Sequence, residues 1–167
     1  MAARQPLPPF QAVLDEHGEI VLRVLRGMVG PVDADDCFQE TFVSALRAYP
    51  RLEHGRELRA WILTIARRKA LDHHRAAARR AVPVAEPPEP AAEPDLNGAA
   101  EAVALWGLVA GLPEGQRAAV VLRFAGGLRY REIGAALGCA EDAARRRVHD
   151  GLRALRRRGP EIEELIR

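Results

Sequence analysis

The chain has 167 residues, of which 48% are hydrophobic and 29% charged, and its formal net charge is +2. These values are typical of a folded globular protein, and no apolar run approaches the ~20 residues that a membrane-spanning helix needs, so we expect no membrane insertion. The two cysteines, Cys37 and Cys139, fit neither a disulfide framework nor a paired metal site. They predict a reducing, cytoplasmic compartment, and no motif in the chain calls for a metal or a cofactor.

Charge is distributed unevenly along the chain. Residues 56–80 contain eight basic and two acidic side chains, and residues 141–158 contain seven basic and three acidic ones, whereas the rest of the chain is acidic. A total near neutrality does not by itself predict a nucleic-acid partner, but two separate basic blocks indicate two positively charged surfaces. All but one of the basic side chains are arginines, which suit bidentate contacts with phosphates and bases.

Two helices are predicted before residue 50. Apolar side chains recur at helical spacing over residues 10–29, and Gly30 followed by Pro31 ends that pattern. Asp33 then fits the N-cap of a second helix, over about residues 34–49. This second helix has one apolar face, which is suited to packing, and one face that is mostly acidic and polar.

A loop leads into a third helix over about residues 56–80. Trp61 is one of the apolar side chains that we expect to pack inward. The adjacent His73 and His74 point about 100° apart on a helix, which is poor geometry for sharing one metal, so we expect them to face solvent or phosphate. Another face of the same helix collects polar side chains at i, i+4, i+7 and i+11, namely Arg68, Asp72, Arg75 and Arg79.

The composition changes after the third helix. The stretch Val82–Gly98 contains five prolines, four acids and no basic residue. Such a segment buries too little apolar surface to offset its ordering entropy, so we expect a proline-stiffened linker over residues 81–99. The sequence therefore predicts an all-α fold of two small helical domains, residues 1–80 and residues 100–167, joined by an acidic linker.

The second domain has the pattern of a helix-turn-helix. After a first helix, Pro113 opens another that ends at Gly126. A short helix over residues 130–137 is followed by Gly138, which permits a left-handed turn, and then by a long helix from about residue 141. The buried stripe of the long helix is expected to consist of Ala144, Val148, Leu152 and Leu155.

The long helix carries the second basic block. As the recognition helix of a helix-turn-helix it would lie in the major groove, with side chains near base edges (Arg145, Arg146 and His149) or phosphates (Arg147 and Arg153). The alternative is a solvated helix whose arginines serve only solubility. Three consecutive arginines near the start of the helix, behind a short helix and a glycine turn, favour DNA binding.

Three stretches occur in order along the chain, "DADDCFQETFVSAL", "LRAWILTIARRKALDHHR" and "LPEGQRAAVVLRFAGGLRYREIGAALGC". The first has an Asp-x-x-Gln-Glu pattern, the second joins Trp to Ile-Ala-Arg and Leu-Asp, and the third contains Tyr-x-Glu-Ile. In this order, with the linker before the third, they resemble bacterial RNA polymerase sigma factors of the extracytoplasmic-function type, group IV of the sigma-70 family. The resemblance covers roughly residues 10–80 and 100–157.

The resemblance implies a non-enzymatic subunit that directs core RNA polymerase to a subset of promoters, with an anti-sigma protein as a further partner. The acidic helix would bind a basic coiled coil of the polymerase clamp through Asp35, Asp36, Gln39 and Glu40. The third helix would bind and open the −10 promoter element through Arg59, Trp61, Arg67, Arg68, Lys69, Asp72, Arg75 and Arg79. The helix-turn-helix would read the −35 element through Arg129, Tyr130, Arg145, Arg146, Arg147, His149 and Arg153.

Parts of this pattern also fit simpler roles. The acids of the second helix could serve merely to complement the helix macrodipole. The resemblance implies that the acidic linker threads the polymerase cleft and resembles nascent RNA there, but a plain tether explains the same composition. The family usually has Asn where this chain has Arg68, a Ser-type cap near Ala140, and a basic residue in place of Asp150. Two alternative functions follow, a stand-alone helix-turn-helix regulator that binds DNA without polymerase, and a degenerate sigma-like protein that acts through protein partners.

Overall fold

The computed structural model describes residues 6–53, 55, 57–81 and 99–158. These residues form α-helices and one short 3-10 helix, so the predicted all-α architecture is confirmed. The predicted linker, apart from its two end residues, and residues 159–167 lie outside the described part of the chain. In chain order the α-helices are α1 (Phe10–Val29), α2 (Ala34–Ala48), α3 (Leu58–Arg80), α4 (Ala99–Val109), α5 (Glu114–Phe124), α6 (Tyr130–Leu137) and α7 (Glu141–Arg156).

The first three helices form a bundle, the N-terminal unit, in which α1 contacts both α2 and α3. The helical spacing of apolar residues in α1 brings them onto one face, and that face is buried as predicted. Aromatic rings close one end of the bundle, where Tyr49 lies 5.3 Å from Phe10 and 6.0 Å from Trp61 between ring centroids. Fully buried aliphatic side chains from α1 and α3 fill the centre, including Val21, Val24, Leu25, Ile62 and Leu63.

The starts of α2 and α3 differ in detail from the sequence expectation. Asp33 occupies the N-cap position of α2, but its carboxylate makes no capping hydrogen bond and instead lies 3.2 Å from Nε2 of His73. Helix α3 begins at Leu58, and Glu57 before it has left-handed backbone, with φ 61°. Both results arise because long-range contacts and the preceding loop compete with the local preferences of the chain.

The last four helices form the C-terminal unit, in which α6 and α7 are the helix-turn-helix. Gly138 ends α6 in the left-handed conformation that the sequence predicted, with φ 67°. The buried stripe of α7 includes Gly151, which the sequence did not predict, while Leu152 packs against the core but is only half-buried. The reason is close helix packing, because a Cβ atom at position 151 would lie 2.7 Å from Cγ2 of Val120 in α5.

The two units pack directly against each other. Helices α4 and α5 contact α1, and α6 contacts α3. As a result, buried side chains of both units belong to one continuous hydrophobic cluster. The sequence predicted the two units but not the contact between them.

Candidate polymerase- and nucleic-acid-binding surfaces

The outer face of α2 is acidic and open to solvent. All four side chains of the predicted polymerase-binding set are on its accessible side, namely Asp35, Asp36, Gln39 and Glu40. Two apolar side chains on the same helix are also exposed, Val43 by 48% and Leu46 by 54%. These two side chains are neighbours on the helix surface, because Leu46 follows Val43 at the i+3 spacing.

The opposite face of α2 anchors this surface to the bundle. Cys37 is buried there, and its backbone carbonyl accepts a 2.7 Å hydrogen bond from the Thr41 hydroxyl. Burial, together with nearby carboxylates, raises the pKa of the Cys37 thiol to about 11, so this cysteine is a neutral packing residue. The acidic face is therefore presented by a helix whose other side is fixed.

Helix α3 has two polar faces with different surroundings. The face predicted at i, i+4, i+7 and i+11 is open to solvent and consists of Arg68, Asp72, Arg75 and Arg79. Arg59, at the first turn, is exposed as well, whereas Trp61 and Lys69 are half-buried. The structure thus brings most of the predicted −10 set to the surface of one helix, but on more than one face.

Arg67 is the exception in the predicted −10 set. It is buried, and its Nη2 atom lies 3.0 Å and 3.3 Å from the two carboxylate oxygens of Glu114 in α5. In this arrangement its guanidinium faces the C-terminal unit and is not available to DNA. Position 67 follows Leu63 by one helical turn, so it shares the face of α3 that contacts the other unit.

The predicted −35 set lies around α6 and α7. Arg145, Arg146, His149 and Arg153 are exposed on α7, whereas Arg147 is half-buried beside Gly115. The Tyr130 ring has two guanidinium groups close to it, that of Arg123 at 4.8 Å and that of Arg145 at 4.9 Å from the ring centroid. Arg145 also donates a 3.2 Å hydrogen bond to Glu141. These contacts hold Arg145 over the start of the helix-turn-helix.

The starts of the two helices in this motif are fixed differently. At α6, Glu132 accepts a 2.7 Å hydrogen bond from the backbone N–H of Arg129, which is exposed. At α7, Ala140 is the N-cap and no side chain caps the helix, as the sequence predicted, while Glu141 and Asp142 supply negative charge in the first turn. The recognition helix therefore begins without a hydroxyl cap.

The adjacent histidines of α3 do not face solvent or phosphate, so that expectation is wrong. His73 contacts Asp33, as described above, and Nε2 of His74 lies 2.8 Å from the backbone carbonyl of Met28. His73 thus contacts the residue before α2, and His74 contacts the last turn of α1. Among the described residues, no group of three His, Cys, Asp or Glu side chains could hold a metal ion, and no helix is long and apolar enough to span a bilayer.

Family models match both units. The model of sigma-70 region 2 matches residues 13–80, and that of sigma-70 region 4 matches residues 102–155. Among solved structures, CnrH in complex with the cytosolic domain of CnrY is 26% identical with a TM-score of 0.67, covering 87% of this chain and 84% of that one. RpoE of Bartonella quintana, solved with the anti-sigma factor NepR, has the same fold, at 24% identity and a TM-score of 0.70 over 89% of this chain and 94% of that one.

Curated relatives agree with the family models. The ECF RNA polymerase sigma factor ShbA of Streptomyces griseus is 38% identical over 153 residues, which cover 82% of this chain and 80% of that protein. The ECF RNA polymerase sigma factor SigD of Mycobacterium tuberculosis is 36% identical over 159 residues, which cover 88% of this chain and 75% of that protein. The chain therefore belongs to the extracytoplasmic-function group of RNA polymerase sigma factors, the proteins that direct RNA polymerase to promoters.

Proposed function

We propose that this sigma factor binds the polymerase clamp through the outer face of α2, the −10 element through α3 and the −35 element through α7. The observation that carries this assignment is the separation of charge among three helices. An exposed acidic face lies on α2, whereas exposed arginines lie on α3 and α7. A basic face attracts phosphates and an acidic face is repelled by them, so each helix selects its own class of partner.

The α2 face suits a basic helical partner. Its exposed apolar side chains, Val43 and Leu46, offer area for burial beside the carboxylates of Asp36 and Glu40. In such an interface the apolar contacts supply most of the binding free energy, while the carboxylates select a cationic partner and speed association. This combination favours a protein partner over a helix whose acids only complement its dipole.

The exposed face of α3 suits a single DNA strand. Arg68, Arg75 and Arg79 follow one another along the helix and can contact successive phosphates, while Asp72 between them limits how tightly the strand binds. Arg68 replaces the Asn that the family usually has, so we assign it a backbone contact and not the recognition of a flipped base.

The exposed face of α7 suits duplex DNA. Arg145, Arg146 and His149 lie in its first half, which is the part of a recognition helix that reaches base edges. Arg153, one to two turns later, would contact the phosphate backbone. Stacking on Tyr130 limits the rotamers of Arg145 before DNA arrives, which lowers the entropy cost of binding.

The proposal includes an anti-sigma protein as a partner, a cytoplasmic location and no enzymatic activity of the chain itself. The family resemblance implies all three. The relative CnrH, which is 26% identical, was solved with a protein partner, the cytosolic domain of CnrY. Capture of partners from a cell lysate would identify the corresponding protein here.

Promoter-dependent transcription in vitro tests the proposal. Purified chain and core polymerase are incubated with genomic fragments at low salt, and specific transcripts are expected. Replacing both Asp36 and Glu40 by Lys should abolish polymerase capture and leave binding to duplex DNA unchanged. The matched control is Asp15→Lys with Glu19→Lys on α1, two exposed acids at the same i, i+4 spacing, which should capture polymerase normally. If none of the proteins binds polymerase while DNA binding persists, the chain is a stand-alone regulator.

A further inference from the structure

We propose that Tyr130 and Glu141 are positioning residues, which hold the guanidinium of Arg145 in one orientation and so let α7 discriminate between bases at one position of the duplex. This inference rests on the proposed function of α7 and deepens it, because it says which residues make one arginine selective. Both residues act through Arg145 and not by touching DNA. Glu141 is absent from the DNA contacts that the sequence indicated, and Tyr130 takes a different role from the one expected of it.

The ring of Tyr130 is held in place by the protein itself. Tyr130 is the first residue of α6, whose start is fixed by the hydrogen bond between Glu132 and the backbone N–H of Arg129. The residue is half-buried. The guanidinium carbon of Arg123, in α5, lies 4.8 Å from the ring centroid, and Arg123 also donates a 2.9 Å hydrogen bond to the carbonyl of Leu128. The ring is therefore a platform that two helices support.

Arg145 is restrained at its backbone and at its guanidinium. Its neighbour Ala144 is fully buried in the stripe of α7, which fixes the backbone. Its guanidinium carbon lies 4.9 Å from the Tyr130 centroid, and its Nη2 atom lies 3.2 Å from a carboxylate oxygen of Glu141, one turn earlier. The ring attracts the cation to its face, while the carboxylate fixes how the guanidinium is turned there. Two independent contacts thus restrict a side chain that has many rotamers when free.

The restrained guanidinium stays accessible to DNA. The side chain of Arg145 is 58% exposed and that of Glu141 is 48% exposed. Both lie in the first half of α7, which is the part of a recognition helix that reaches base edges. A guanidinium has more N–H donors than one carboxylate bond uses, so Arg145 keeps donors for the O6 and N7 acceptors of guanine. Guanine is therefore the base that this arrangement suits.

Restraint raises the discrimination of an arginine between bases. A free arginine that meets the wrong base can turn to a nearby phosphate and so recover much of the lost binding. A guanidinium held by a ring and a carboxylate loses both contacts if it turns away, so the wrong base leaves its donors unpaired. With guanine, by contrast, the restrained side chain loses little conformational entropy on binding. Arg146, which has no salt bridge or ring contact in the described part of the chain, lacks this restraint.

The positioning role also accounts for a carboxylate on a face that binds DNA. Glu141 is exposed in the first turn of α7, where its negative charge opposes the approach of any phosphate. Asp142, the next residue, is exposed in the same turn and opposes phosphates in the same way, but it forms no salt bridge among the described residues. The two acids therefore differ in the contact with Arg145, which makes them a matched pair for substitution.

Competition binding with altered duplexes tests the inference. The protein in complex with core polymerase first selects its preferred sequence from duplexes that are randomised in the −35 region. The selected sequence is then changed one base pair at a time, and the ratio of the affinities for the selected and the changed duplex measures discrimination at each position. Arg145→Ala identifies the guanine that Arg145 reads, as the position at which this ratio falls.

Four variants separate positioning from other roles. Tyr130→Leu should lower discrimination at this guanine by about two- to tenfold, because the restraint on Arg145 is lost, whereas Tyr130→Phe keeps the aromatic face and should keep discrimination. Glu141→Gln should also lower discrimination, but it should raise the affinity for every duplex because a charge that repels phosphates is removed. The matched control Asp142→Asn should raise the affinity similarly and leave discrimination unchanged.

NMR of the arginine side chains measures the restraint without DNA. The Nε–H signal of Arg145 is assigned by its absence from the spectrum of Arg145→Ala. Its relaxation should indicate a rigid group, on the ps–ns timescale, in the unmodified protein, in Tyr130→Phe and in Asp142→Asn. The same group should be mobile in Tyr130→Leu and in Glu141→Gln, because each of these variants removes one of the two contacts.

Each outcome decides a different question. Equal discrimination by Glu141→Gln and Asp142→Asn would overturn the inference, and so would a loss in Tyr130→Phe as large as that in Tyr130→Leu, which would make the hydroxyl a direct DNA contact. Because Glu141 is exposed, the first comparison stands even if Tyr130→Leu does not fold. If the unmodified protein selects no sequence, the proposed function of α7 is contradicted, and the NMR measurement still decides whether Tyr130 and Glu141 hold Arg145.

Discussion

The two arginine-rich helices, α3 and α7, have similar compositions but different surroundings. In α3, Arg67 lies on the face that contacts the C-terminal unit and is buried in an ion pair. In α7, Arg145 and Arg146 are both exposed, because that helix packs through an uncharged stripe that includes Val148 and Gly151. The number of arginines in a helix therefore does not measure its DNA-binding surface. What matters is the face of the helix on which each arginine lies, because packing against other helices decides which faces stay exposed.

The largest expected effect concerns base recognition by α7. Arg146→Ala should weaken binding to a duplex with the −35 element by about 1–3 kcal/mol, or about 5- to 150-fold, because a bidentate contact with a base is lost. Fluorescence anisotropy with a labelled duplex at fixed salt measures the change. Arg23→Ala on α1, which removes an exposed arginine outside the proposed DNA surfaces, should have no such effect. Equal affinities for both variants would contradict the assignment of α7.

The next effect separates a buried arginine of α3 from an exposed one. Arg67→Ala should lower the free energy of unfolding by about 1–2 kcal/mol, which is less than for a fully buried pair because the side chain of Glu114 is 39% exposed and can be hydrated. Arg75→Ala, on the exposed face, should change it by no more than about 0.5 kcal/mol. Urea denaturation compares the two. Similar losses for both variants would show that the buried Arg67 contributes no more to the free energy of unfolding than an exposed arginine does.

A gain of stability is expected at the start of α7. Ala140 has the extended backbone of an N-cap residue, with φ −66° and ψ 155°, but has no side chain that could cap the helix. Ala140→Ser should therefore stabilise the protein by about 1 kcal/mol. Ala135→Ser is the control, because this exposed residue lies inside α6, where serine is a poorer helix former than alanine. Thermal unfolding measures both, and a gain at position 135 but not at position 140 would reject the capping argument.

The smallest expected effect is on pH dependence. Burial is the main cause that lowers the pKa of His74 below 6.5, with Arg117 and His73 acting in the same direction against Glu114 and the Met28 carbonyl. The unfolded chain therefore binds more protons than the folded one just below pH 6.5, so stability falls as the pH decreases through that region. Denaturation is measured at about pH 7.5 and about pH 5.5, on either side of the ordinary histidine pKa. The free energy of unfolding should differ less between these two pH values for His74→Gln than for the unmodified protein.

His17 adds to this pH dependence. Burial also lowers its pKa, mainly against the opposing effect of Glu16. His17→Gln should thus reduce the same difference between the two pH values, without involving the contact between the units. If neither variant changes it, other groups govern the acid sensitivity of the fold.

Much of the fold is local and could be predicted from the sequence. Helix periods, the glycine and proline breaks and the proline-rich stretch define the helices of both units, because each of these signals acts over a few neighbouring residues. The left-handed conformation of Gly138 and the uncapped start of α7 were predicted for the same reason. The exposed faces of α2 and α7 also followed from periodicity, since the apolar residues of those helices leave little choice about which side is buried.

Contacts between residues distant in the chain could not be predicted in this way. His73 and His74 bind Asp33 and the Met28 carbonyl, and Arg67 pairs with Glu114, because tertiary packing brings separate helices together. The burial of Gly151 in the stripe of α7 likewise depends on how close α5 approaches. The sequence by itself determined the family, the helices and the charge of each surface. Only the tertiary structure decided which polar side chains are buried, because that depends on the atoms that surround each one.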